Sequence, residues 1–373
     1  MSSLTSDSGG DVNNSSGQTF EDPSPQLTGK RSRWGAFAAL GLVALAPICG
    51  PNDFASLPRT SSPGTILPGT RCPVFPVDNV WNANISKLPV SPHSARWIAS
   101  IDQGNPTIDL HPDFGPGGGV NSPYGIPYTI VRPSQPFVRV NFEYASESDR
   151  GPYPFGPNTP IEGGAQSTGD RHALMVDPKT CVLYELYDAR YAPGGKSTAG
   201  SGAIWHLDSN HLRPATWTSA DAAGLPILPG LVNYDEVMSG HLDHAIRFTA
   251  PVTDDTFIWP ARHEASSENN PNLPPMGARF RLKGSFHLPL SRCARPCQTV
   301  LTAMKNYGLI LADNGSSWYF QGTADPRWTY SFVDQLKQIP ASAFVAVNES
   351  SLMCAPNSGQ ARQPGLPNGG CPS

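Results

Sequence analysis

Proline and glycine recur so often along this chain that long, uninterrupted helices are closed to it. The 373 residues include 40 Pro and 36 Gly, about a fifth of the sequence, well above ordinary usage. Proline fixes φ and removes a backbone donor, and glycine weakens the interior of helix and strand alike. Short elements joined by many turns follow. Charged residues make up only 15% of the chain and aromatic residues 9%. That is too little charge for a charge-driven disordered chain and enough aromatic bulk for a core. Together these features describe a loop-rich, mainly β protein.

The net charge of −4 gives no basic field and no footprint for nucleic acid. Residues 1–29 are polar and rich in Ser, Gly and Asn, and read as a disordered segment. "KRSR" (Lys30–Arg33) then precedes "WGAFAALGLVALAPICG", so residues 30–50 read as a signal peptide or membrane anchor. The apolar run is shorter than the roughly 20 residues a spanning helix needs, which favours export. Residues 51–70 read as a Pro/Ser/Thr-rich linker, 71–350 as a single domain, and 351–373 as a Gly/Pro-rich tail that contains cysteine. No 20–50-residue repeat is present. Apart from Cys49 there are six cysteines, an even number that in an exported chain points to disulfides. The near pairs Cys293/Cys297 and Cys354/Cys371 are the simplest pairing, leaving Cys72 with Cys181, although six cysteines allow 15 connectivities.

Several runs carry strand patterning: "YTIVRP", "FVRVNFEY", two runs around the turn "DPKT", "HAIRFTAPVTDDTFIWPARH", "ARFRLKG" and "GLILAD". "PCQTVLTAMKNYG" is the best helix, with Val300, Leu301, Met304 and Tyr307 on one side and Gly308 ending it. "TSADAAGLP" suggests one or two helical turns. The sum is a β-sandwich or jelly roll with a few short helices and long loops, with α+β as the alternative.

Alternation along strands locates candidate chemistry. His172 shares a strand face with Asp170, Leu174 and Val176, and His244 shares one with Leu242, Ile246 and Phe248. Each histidine is either a satisfied core residue or part of a site at the mouth of a sheet. Glu185, between apolar neighbours, has the setting of a carboxyl of raised pKa, as a general acid requires. Asp170, Asp188 and Asp313 are candidates for its partner. Asp188 lies three residues from Glu185, so a regular strand would send the two to opposite faces. The long loop holding Glu147, Asp149, Tyr153 and Glu162 offers an aromatic platform plus acids, suited to sugar rings. Trp259, Arg262 and His263 cluster after a strand end, a common position for binding residues. Arg279, Arg281 and Lys283 share one face, either a solvated surface or a track for an anionic polymer.

No nucleophile elbow, zinc motif, P-loop or dinucleotide fingerprint is present. No cofactor is expected, with calcium in a carboxylate-bearing loop left open. The phrases "GDRHALMV", "LYELYDA", "TSADAAGLPILPGLVNYDEV", "HAIRFT", "PPMGARFRLK" and "LILADNGSSWYFQG" resemble an uncharacterised family of exported bacterial proteins over roughly residues 72–347. That resemblance implies export and brings no activity. More loosely, the pattern is similar to secreted β-sandwich carbohydrate-active proteins. The expected function is therefore a secreted, monomeric glycoside hydrolase acting on polysaccharide. Catalysis falls to Glu185 with Asp170, Asp188 or Asp313, and substrate binding to His172, His244, Arg262, His263, Trp259 and Tyr153. The rivals are a glycan- or cell-wall-binding protein with Trp318, Tyr319 and Trp328 as a platform, and a lyase acting on a uronate polymer through His244 with Arg247 or Arg262.

Overall fold

The computed structural model describes residues 65–117, 123–363 and 367–371. The expected disordered segment and signal region fall outside this range. Strand accounts for 24% and helix for 17%, so the chain is strand-rich with few helices.

Six strands form the larger sheet: β1 (His111–Asp113), β8 (Ile246–Ala250), β9 (Arg279–Leu282), β10 (Leu309–Asn314), β11 (Tyr319–Gln321) and β12 (Phe344–Val347). Their order is β1-β11-β8-β10-β9-β12. The pairs β1/β11 and β8/β10 are parallel and the others antiparallel. A four-stranded sheet joins β2 (Tyr128–Ile130), β4 (Ala173–Asp177), β5 (Val182–Tyr187) and β7 (Ser201–His206) in the order β2-β4-β5-β7. Two short strands, β3 (Asn141–Phe142) and β6 (Thr198–Ala199), pair in parallel.

Both sheets contribute to one hydrophobic cluster. Leu174, Val176, Leu183 and Trp205 of the smaller sheet join Ile246, Phe248, Phe280 and Leu311 of the larger. Alternate residues Ala173, Met175 and Leu186 face a second cluster with Tyr153 and Phe155. The smaller sheet is thus buried on both sides, and β8 is buried at every position.

The helices are α1 (Ser94–Ile101), α2 (Tyr234–Ser239), α3 (Arg295–Asn306) and α4 (Tyr330–Leu336). Helix α3 is the one expected from its apolar spacing, and it buries Val300, Leu301 and Met304. Gly308 ends it at φ 74°, where a Cβ would stand 2.4 Å from the Phe280 carbonyl oxygen, so only glycine fits. Asn233 caps α2 by accepting from the Asp235 N–H, and Thr329 caps α4 by accepting from the Phe332 N–H. "TSADAAGLP" forms turns rather than a helix. There the Ser219 hydroxyl accepts the Asp221 N–H and donates to the Leu225 carbonyl, giving the backbone a local alternative to helix. The second strand expected in "HAIRFTAPVTDDTFIWPARH" reduces to one bridge between Phe257 and Met276.

Three disulfides form: Cys72–Cys181, Cys293–Cys297 and Cys354–Cys371. They suit an oxidising compartment. Among the described residues no helix is long and apolar enough to cross a membrane. The linker expected to reach residue 70 gives way earlier, since Leu67 is buried in the core.

Candidate functional site

The register of the larger sheet assembles a row of polar side chains on one face. Asp113 pairs with Gln321 across β1/β11, so both project to the same side. Phe320 pairs with Phe248 in the antiparallel β11/β8 ladder, which sets Gln321 opposite Arg247. In β10, Ile310 pairs with Arg247, and a register shift between Leu311 and Asp313 then sets Asp313 against Thr249. Without that bulge Asp313 would share the face of Phe248; with it, Asp313 joins Arg247.

Two other segments close over this row. "TSADAAG" supplies Asp221, fully buried, which accepts from Arg247 Nε at 2.8 Å and Nη2 at 2.7 Å. Asp313 Oδ2 lies 3.8 Å from Arg247 Nη2, with a quarter of its side chain exposed. From the smaller sheet comes His172. Its Nδ1 faces Glu162 Oε2 at 2.5 Å, and its Nε2 faces the Ala220 carbonyl at 3.1 Å. Asp170 completes the group: single ligand-type atoms of Glu162, Asp170 and His172 lie within 4.8 Å of one another. Asp170 is exposed, and among the described residues its carboxylate has no hydrogen-bond partner.

The electrostatics separate these acids. Burial, assisted by the neighbouring Asp221 charge, raises the Asp313 pKa well above its usual value against the pull of Arg247. Burial works in the same direction on Glu162, but the adjacent His172 overrides it and Glu162 ends below its usual value. Burial also opposes charge on His172, yet Glu162 prevails and lifts His172 to about 9. The hydrogen bonds agree, because both ring nitrogens face acceptors and both must carry a proton. An imidazolium so committed has no lone pair for a metal, so Glu162, Asp170 and His172 form an ion pair beside an open carboxylate. Burial raises Asp113 despite hydrogen bonds from Tyr124 and Gln321. Tyr187, 5.8 Å from the His172 ring, is pushed up to about 12 by burial and by the charges of Asp170 and Asp313.

Of the expected site residues, Asp170, Asp313 and His172 meet here. The rest lie elsewhere. Glu185 is completely buried and accepts from Trp205 Nε1 and from the Ile227 and Leu228 amides. Its pKa does rise, to about 7 through burial, but the carboxylate has no open side. It fastens a 3-10 turn (Leu228–Gly230), which packs on β8, to β5 of the smaller sheet. Asp188 forms surface ion pairs with Arg190 at 2.7 Å and Arg171 at 3.9 Å. His244 donates to the Ala245 carbonyl at 2.7 Å and to Glu236 Oε2 at 3.2 Å. It shares none of the partners of His172, so the two histidines do not open on one mouth. Arg262 donates to the Arg213 and Pro356 carbonyls and to Asn357 Oδ1, each at 2.7 Å, and ties down the tail. Trp259 donates to the Ser358 carbonyl in the same region. His263 pairs with the Ala222 carbonyl at 3.0 Å and with Glu147 at 3.7 Å. Tyr153 is sealed in the second cluster, its hydroxyl donating to the Asp149 carbonyl. Trp318 and Trp328 are buried and form no platform.

The basic stripe also dissolves. Arg279 is buried against Glu349 and the carbonyls of Tyr307, Val80 and Ala83, and Arg281 donates to the carbonyls of Ile85 and Leu88. Only Lys283 remains exposed.

Sequence reasoning missed Asp113, Asp221 and Gln321, and it offered Arg247 only as a partner of His244 in the lyase reading. The one legible signal was Arg247 itself, a charged residue inside an apolar strand pattern. Compared with known protein families, curated proteins and solved structures, the chain matches none.

Proposed function

We propose that this protein is a secreted carbohydrate-active enzyme that hydrolyses glycosidic bonds, with Asp313 as general acid and Asp170 as nucleophile or general base. The observation that carries this reading is the contrast between two carboxyls of one site. Asp313 sits beside Arg247 and Asp221 with its pKa raised by burial, and Asp170 stands exposed. Two carboxyls in such different surroundings, one buried and one open, can divide acid and base roles between them. Asp313 would protonate the leaving oxygen while Asp170 attacks, or activates water, from the other side. The Glu162–His172 ion pair ties the loop that carries Glu162 to the start of β4 beside the site.

The rival readings have less support. A uronate lyase needs a cation facing the substrate carboxylate, but Arg247 is committed to Asp221 among other acids. A flat binding platform needs exposed indoles, and Trp318 and Trp328 are interior. The two sheets that share one cluster are read here as the faces of a β-sandwich with appended helices.

Asp313→Asn and Asp170→Asn should each lower the release of reducing ends from a polysaccharide panel by roughly 10²–10⁴-fold while the fold survives. Wild-type activity should fall as pH rises through the raised pKa of Asp313, where the acid loses its proton. Undiminished turnover in either variant, or products with ultraviolet-absorbing unsaturated rings, would refute the assignment.

A further inference from the structure

Building on the hydrolase reading, we propose that the substrate is a polysaccharide of hexosamine units bearing free, protonated amines, bound along the groove beside Glu162. The groove has a volume of about 450 Å³, and Tyr128, Asn158, Thr159, Ile161 and Gly163 are among its walls. None of its lining residues is charged. Ile161 and Gly163 flank Glu162 in the chain, so the segment that carries Glu162 also lines the groove.

Charge at the cluster selects the occupant. Among the described residues, Asp113, Glu162, Asp170, Asp221 and Asp313 interact there with two cations, Arg247 and His172. Arg247 is taken by Asp221, and His172 by Glu162. Asp170 and Asp113 are left without a cationic hydrogen-bond partner; the donors to Asp113 are the neutral Tyr124 hydroxyl and Gln321 Nε2.

Gln321 gives a second, independent indication. It is only 4% exposed, it sits in register between Asp113 and Arg247, and its Oε1 is sealed from solvent with no hydrogen-bond partner. An ammonium group brings three donors and a positive charge, matching two uncompensated carboxylates and an orphan carbonyl oxygen. An anionic polymer would be repelled, and a neutral sugar would leave the charge uncompensated.

The test separates binding from turnover. In Asp313→Asn, which slows cleavage, calorimetry should show a glucosamine hexamer binding at least about tenfold more tightly than its N-acetylated counterpart, with the advantage shrinking at high salt. Asn158 is exposed on the groove rim. Asn158→Asp should tighten, and Asn158→Lys weaken, amine-oligomer binding by roughly two- to fivefold, as an exposed charge pair does. Neither should change binding of the acetylated oligomer. Equal affinities for the two oligomers, or preference for a uronate oligomer, would overturn the proposal. Tight amine-oligomer binding with no cleavage by the wild type would refute hydrolysis and leave the specificity standing. Cleavage without amine preference would do the reverse.

Discussion

Each histidine singled out by strand alternation is fixed by two acceptors, and that fixes its charge as well. His172 is the more consequential. Its pKa near 9 lies above the ordinary 6.5, so the stability it contributes is fully present below about pH 6.5 and is lost as pH rises through 9. Glu162, shifted below its ordinary 4.5, contributes above that value and loses its share as pH falls. The pair is therefore most effective between the two ordinary values. Thermal melts should show stability declining between about pH 6.5 and 9, by an amount on the order of 3 kcal/mol, and His172→Gln should flatten that decline. An unchanged slope in the variant would mean that the pair does not couple to folding. The sequence offered the residue type and the strand face of His172. Its partners come from a loop and from a turn 48 residues away, and no alternation pattern reports such contacts.

At the level of elements, Glu185 is the instructive case. Its apolar neighbours correctly announced a raised pKa, but the cause was a core position and not a cleft. The carboxylate accepts the first amides of a 3-10 turn and the indole of Trp205, and so fastens that turn to the smaller sheet. Glu185→Gln should cost about 1–3 kcal/mol of stability, because its amide group would face backbone donors. The turnover of the folded fraction should be retained, as denaturant titration combined with activity per folded molecule would measure. Loss of turnover at full stability would return Glu185 to catalysis. Helix α3 and the β4/β5 hairpin were legible because their spacing and turn chemistry are local. Helices α1, α2 and α4 were not, since all are short: α2 and α4 rest on side-chain caps, and α1, which has none, on the tertiary packing of its buried face.

For the molecule as a whole, the disulfides distribute constraint unevenly. Cys72–Cys181 spans 109 residues, against 4 and 17 for the other two. Chain-entropy reasoning assigns the largest stabilisation to the longest loop, on the order of 4–5 kcal/mol. The double variant Cys72→Ser/Cys181→Ser should therefore lower the melting temperature more than removal of either short bridge. An equal or smaller loss would show that native packing already fixes the joined segments. The strand-rich character and the cysteine pairing were readable from the chain, the first from composition and the second from the even count of cysteines and the nearness of two pairs in sequence. The convergence of Asp113, Gln321, Arg247 and Asp313 was not, because it depends on the order of strands from distant parts of the sequence. It also depends on the single extra residue, Ala312, in β10. That residue acts as a phase shift in the strand: side chains before it keep time with the core, and those after it keep time with the site. Lineages that gain or lose one residue there could switch the site on or off with little disturbance to the core, and comparisons of such chains by residue identity alone would not register the change.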